Sequence, residues 1–185
     1  MVLPAGTVEL QQNGTNNVTV TVTLASDYSF RSAPDNNHHA FVFDLSGVSG
    51  VSASNITSGP TSQTFDFLGL GSYKDAGLGN NFLYAFNCTT CATGTTGTPT
   101  QSLSFLLTGT GLTESSFVSN GSYFFGVDVV GLNALSGVGL TGNIGATGPG
   151  VPVTPTVPEP SSLLLFGTGL TAAGGMIRRR LATRS

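Results

Sequence analysis

The side chains of this chain with the most chemical capacity are few and scattered. Cys88 and Cys91 frame a Cys-Thr-Thr-Cys segment, a spacing that serves a metal half-site, a redox pair or a small structural disulfide. A thioredoxin-like pair would open a helix in a βαβ setting. Here Phe82-Leu83-Tyr84-Ala85-Phe86-Asn87 reads as a strand before the pair, and a Thr/Gly run follows it. Zinc needs about four ligands, yet no second cysteine pair exists, and His38-His39 sits in a polar stretch that reads as a solvated loop. The expectation for Cys88 and Cys91 is a structural disulfide or inert thiols, and a loop so short removes little unfolded-state entropy.

The carboxylates make no stronger case. Asp35-Asn36-Asn37 and Asp75 carry oxygen ligands but lack the regular spacing of a calcium loop, so they read as turn formers. Glu9, Glu114 and scattered Asp residues do not form an evident pair for glycoside hydrolysis, and no Gly-x-Ser-x-Gly segment occurs. The expectation is a protein that is not an enzyme and has no metal or cofactor. Asn13, Asn17, Asn55, Asn87 and Asn120 each begin an Asn-x-Ser/Thr triplet, which a chain this rich in Asn, Ser and Thr produces by chance.

The elements that must hold these residues are strands. Of 185 residues, 39% are hydrophobic, enough for one core, while only 8% are charged, against about 25% in a typical soluble domain. Thr, Ser, Asn and Gly must therefore cover the surface. Positions 18–24, Val-Thr-Val-Thr-Val-Thr-Leu, place an apolar residue at every second site, which makes one face oily and the other hydroxylated. Similar runs at 7–11, 40–45, 64–68, 81–86, 102–107, 116–119 and 123–130 predict an antiparallel β-sandwich over residues 1–147, with a last edge strand within 137–147. No body segment keeps a 3.6-residue apolar period over three turns, and the 26 glycines interrupt most windows.

Aromatic residues follow the strands. Phe41, Phe43, Phe65, Phe67, Phe82, Tyr84, Phe86, Phe105, Tyr123 and Phe125 recur two apart and read as core packing between two sheets. The alternative is a platform for stacking on sugar rings, which would need Phe65, Phe67, Tyr73, Tyr84, Tyr123 and Phe125 to supply several exposed, coplanar rings.

Charge divides the chain a second time. Arg178, Arg179, Arg180 and Arg184 lie at the C-terminal end, leaving Arg31 and Lys74 against eight acidic residues in positions 1–157. Such a body cannot neutralise a run of phosphates, so nucleic acid is not an expected partner. Residues 148–157, ending in Val-Pro-Val-Thr-Pro-Thr-Val, read as a Pro/Thr stalk. Beyond it, Pro158-Glu159-Pro160 precedes an apolar stretch at 161–177 and the basic end at 178–185. Seventeen residues at about 1.5 Å each give roughly 25 Å of helix, a marginal span for a hydrocarbon core of about 30 Å. The arginines cross only at high cost and are expected to stay cytoplasmic, with the body outside.

This three-part tail resembles the PEP-CTERM sorting signal of exported bacterial proteins, and the resemblance covers residues 158–185. It implies exosortase, an integral-membrane transpeptidase-like enzyme, as the processing partner. Pro158, Glu159 and Pro160 would be the recognised motif, and Arg178, Arg179 and Arg180 the cytoplasmic stop. It also implies an exported protein, held in the inner membrane through 161–177 as a precursor and then released to the envelope or to exopolysaccharide or biofilm matrix. An exported chain needs a leader; residues 1–6 show neither a basic start nor a long apolar run, so a misassigned or truncated start is expected. Two alternatives stand beside a non-enzymatic surface protein: a carbohydrate-binding module or adhesin, and a permanently tail-anchored envelope protein.

Overall fold

The computed structural model describes residues 5–31, 38–74, 77–78, 81–93, 99–133 and 139–152. The chain divides after Val153, and the second unit, Thr154–Ser185, lies outside the described residues. The expected sorting motif, membrane segment and basic end all fall there. Among the described residues no helix is long and apolar enough to cross a membrane.

The threonine-valine run becomes β2 (Asn17–Leu24), with Val18, Val20, Val22 and Leu24 buried. A turn through Gly14 and Asn16, both at positive φ, returns the chain from β1 (Gly6–Gln12), and every residue of β1 pairs antiparallel with β2. Then follow β3 (Tyr28–Phe30), β4 (Phe41–Leu45), β5 (Ser49–Pro60), β6 (Phe65–Lys74), β7 (Asn81–Cys88) and β8 (Thr100–Thr110). A 3₁₀ turn at Glu114–Ser116 leads to β9 (Phe117–Val118), β10 (Phe125–Gly131), β11 (Thr141–Ala146) and β12 (Val151–Pro152).

The strands form two sheets. The first runs β12-β1-β2-β8-β5, and the second runs β11-β10-β4-β7-β6, with β3 also paired to β10 and β9 to β4. All pairings are antiparallel except β1 with β12, which is parallel. One apolar core joins the sheets. Phe105 of β8 reaches across it, with its ring centroid 4.3 Å from Phe86, 6.0 Å from Phe41 and 6.3 Å from Phe43 of the opposite sheet. Edge-tilted and offset ring pairs of this kind add to the gain from area burial.

The second sheet buries apolar residues on its other side as well. Val42, Phe82, Ala85 and Leu78 form a separate cluster there, with Tyr73 and Tyr123 packed against it. That explains why β4 and β10 are buried at every position.

Four features depart from the pattern in the sequence. Strand β5 is the longest in the fold, yet Ser-Gly-Val-Ser-Ala-Ser-Asn-Ile-Thr-Ser-Gly-Pro reads as a loop. It forms because an edge strand needs only one partner, β8, and its few apolar residues Val51, Ala53 and Ile56 pack on the core. Strand β3 is too short to show a period. Strand β6 extends to Lys74 through two register shifts against β7, one of them at Gly69 with φ of 72°. Finally, the stretch given to the stalk begins inside the body: Val151 and Pro152 pair with Glu9 and Leu10. Gly150 permits that approach, since a side chain there would fall 2.7 Å from Leu10.

Free edges invite pairing with other chains, and charge is the usual deterrent. Strand β5 has no charged residue but shifts register three times along β8, so its edge is irregular instead.

Candidate functional site

Cys88 ends β7 and is joined to Cys91 by a disulfide, with Cα atoms 5.6 Å apart and both residues buried. The four-residue loop is held from outside as well. Thr89 donates its N–H to the Thr64 carbonyl at 3.1 Å, and the Thr90 hydroxyl accepts from the Thr64 N–H at 2.9 Å. Ala92 then bridges to Arg31. A buried, oxidised pair tied to neighbouring strands acts as a clip; it offers no thiolate for exchange.

The two histidines part company. His39 is buried, its Nδ1 lies 2.9 Å from the Lys74 carbonyl, and its ring meets Tyr73 edge-on at 5.1 Å. His38 points elsewhere, with Nδ1 3.4 Å from Asp128 Oδ2. This replaces the expected solvated pair, because His39 packs against Tyr73 and His38 turns toward a buried carboxylate.

Asp128 is the hub of the only ion pairs among the described residues. It is fully buried in β10, and Arg31 Nη1 reaches its Oδ2 at 3.1 Å while the Arg31 N–H donates to the Asp128 carbonyl at the same distance. Arg31 is thus one of two body cations and is spent inside the fold. A buried charge of this kind is costly unless paired, which accounts for the convergence of Arg31 and His38 on one carboxylate.

Asp44 is the second buried carboxylate. It interrupts Phe-Val-Phe-Asp-Leu in β4, and its Oδ1 accepts the Leu83 N–H at 2.5 Å. Burial pushes its pKa up, opposed in part by that backbone hydrogen bond. Tyr84 is pushed up too, first by burial and then by the negative charge of Asp44.

Other candidates are not brought together. Glu114 accepts the Gln12 N–H at 2.7 Å and so closes the end of β1, while Glu9 is exposed on β1. Asp35, Asn36, Asn37 and Asp75 lie outside the described residues. No group of three or more His, Cys, Asp or Glu residues converges on a metal position among the described residues. Of the six rings that could form a sugar platform, Phe65, Tyr84 and Phe125 are buried, and Phe67, Tyr73 and Tyr123 are half-buried. Phe67 lies nearly parallel to Tyr84 at 6.2 Å, and Tyr73 donates its hydroxyl to the Leu68 carbonyl. No coplanar exposed ring surface exists among the described residues.

Sequence reasoning passed over Asp44 and Asp128. A signal was present, since each places a carboxylate inside an otherwise apolar strand, where it breaks the pattern of a core face.

The candidate residues thus stay apart among the described residues, and the functional signal comes from the tail. Residues 156–180 match the PEP-CTERM protein-sorting motif. The chain carries that motif in its tail, and the motif indicates a secreted protein targeted to exosortase. Neither the curated proteins nor the solved structures yield a match.

Proposed function

We propose that the chain is a non-enzymatic surface or matrix protein whose tail is a temporary inner-membrane retention device, removed when exosortase delivers the body to the envelope or extracellular matrix. The observation that carries this reading is the sorting motif at 156–180, set beyond a body that closes at Val153. The last described strand ends at Pro152, so cutting near Pro158 severs no described strand pairing. In this reading Pro158, Glu159 and Pro160 are recognised, 161–177 holds the precursor in the bilayer, and Arg178, Arg179 and Arg180 stop it on the cytoplasmic side. Exopolysaccharide or biofilm matrix is the destination.

The test is to replace Pro158-Glu159-Pro160 by three alanines in a host that carries exosortase and to read the C-terminus by mass spectrometry. The expected result is a full-length, membrane-retained precursor. If the variant loses its tail as the parent does, the reading is wrong. A parent chain that keeps Arg178–Arg184 at the cell surface would instead make it a permanent anchor.

A further inference from the structure

The outward face of the first sheet is dense in neutral hydrogen-bonding groups. Register sets Ser104 between Thr21 and Thr57, and Leu106 between Thr19 and Ser54. Over β8 this face opens into a groove of about 290 Å³, with Asn13, Asn17, Thr19 and Asn55 around Ser104 and Leu106.

The groove owes one wall to a bulge. Strand β5 slips register between Ser54 and Thr57, leaving Asn55 out of the ladder with φ of 52°. Asparagine and glycine tolerate that left-handed backbone best. The Asn55 amide is exposed and has no hydrogen-bond partner among the described residues. The opposite wall is set in place. Asn17 Oδ1 accepts the Thr108 hydroxyl at 2.8 Å, its Nδ2 donates to the Thr15 carbonyl at 3.2 Å, and Asn13 Nδ2 donates to Thr19 Oγ1. Half-buried Leu106 supplies an apolar patch.

Amides and hydroxyls beside an apolar patch suit a ligand with neighbouring hydroxyls on one side and C–H groups on the other. No charged residue lines the groove, and Glu9, paired in register with Thr21, is the one carboxylate on the outward positions of β1, β2, β8 and β5 among the described residues. Uronates, sulfates and phosphates find no cation there. The geometry points to a subsite for a neutral glycan, taking one or two rings of a polysaccharide strand. This deepens the surface-protein reading and rests on it only for where the glycan is met. Ligand pockets usually run about 300–1,000 Å³, so the groove is small. Each bond to sugar also replaces one to water, which sets single-ring binding at about 1 mM or weaker. Useful affinity then comes from many copies meeting one polymer.

The test is affinity electrophoresis of the full chain in mild detergent, through gels containing dextran, mixed-linkage β-glucan or galactomannan, with polygalacturonate as the polyanion. At least one neutral polymer should retard the protein and polygalacturonate should not. Asn55→Gly suits the backbone and removes the amide; it should weaken retardation about fivefold, the worth of one hydrogen bond. Thr19→Val should do likewise, and thermal unfolding should confirm that both variants stay folded. Migration unchanged in all three neutral gels, equal retardation by polygalacturonate, or wild-type behaviour of both folded variants each overturns the proposal. The assay uses purified chain without exosortase, so a glycan-binding chain that is processed regardless of its Pro-Glu-Pro segment refutes only the sorting reading.

Discussion

The two sheets share one core but are built on different terms. In the first, β2 and, from Ser102 onward, β8 alternate, with Val18, Val20, Val22, Leu103, Phe105 and Leu107 inward and asparagine, threonine, serine or leucine outward. In the second, β4 and β10 are buried throughout, and their outward positions hold Val42, Asp44, Asp128 and Val130. A sheet with one wet face can discard polar groups into water. A sheet covered on both faces must neutralise any it keeps, which is why the body's buried carboxylates belong to the second.

Substitutions at matched positions break or sharpen this contrast. The largest effect is expected where the sheets meet: Phe105→Ala removes the ring that touches Phe41, Phe43 and Phe86, and should cost about 3–5 kcal/mol in urea unfolding. Next comes Asp128→Asn, an outward position of the covered sheet. It leaves Arg31 without its countercharge and should cost about 2–4 kcal/mol, below the full range for a broken buried pair because the Arg31 side chain keeps 25% of its exposure. A loss under about 0.5 kcal/mol would mean that the pair is not buried in energetic terms.

Asp44→Asn tests the same face with opposite sign. The raised pKa means the folded state holds the proton more tightly than the unfolded chain does. Asp44 therefore favours folding below the ordinary carboxylate range, and that contribution is lost as pH rises through the folded pKa. The amide keeps an oxygen for the Leu83 N–H. The variant should equal or exceed the parent in stability at neutral pH, by about 1 kcal/mol at most, and fall behind as pH drops. Parallel stability profiles would contradict it. The smallest effect is expected at Thr21→Val on the wet face, which removes a 3.2 Å contact with Ser104 and should shift stability by no more than about 0.5 kcal/mol.

The same contrast decides what could be read in advance. Strands of the one-faced sheet announce themselves by period two, and β2 stands in the sequence almost residue for residue. The covered sheet reads as apolar runs, so its strands are visible but the meaning of Asp44 and Asp128 is not. Their partners, the Leu83 N–H, Arg31 and His38, lie 39, 97 and 90 positions away. Strand β5 was hidden for another reason: its Ser, Gly and Asn residues have turn propensity, and only the presence of β8 beside them makes a strand. The groove wall at Asn55 is a product of that pairing and could not be anticipated without it.

What the amino-acid sequence determined alone is everything that depends on local order: the β class, the alternating faces, and the sorting motif, which is read as a linear string. Tertiary structure decided everything that depends on which distant groups share a space. It buried two carboxylates, gave the two histidines separate partners, withdrew the aromatic rings from solvent and left a neutral groove on the first sheet. The physical reason is common to all four. Burial and pairing are properties of the surroundings of a side chain, and those are set by the packing of strands far apart in the chain.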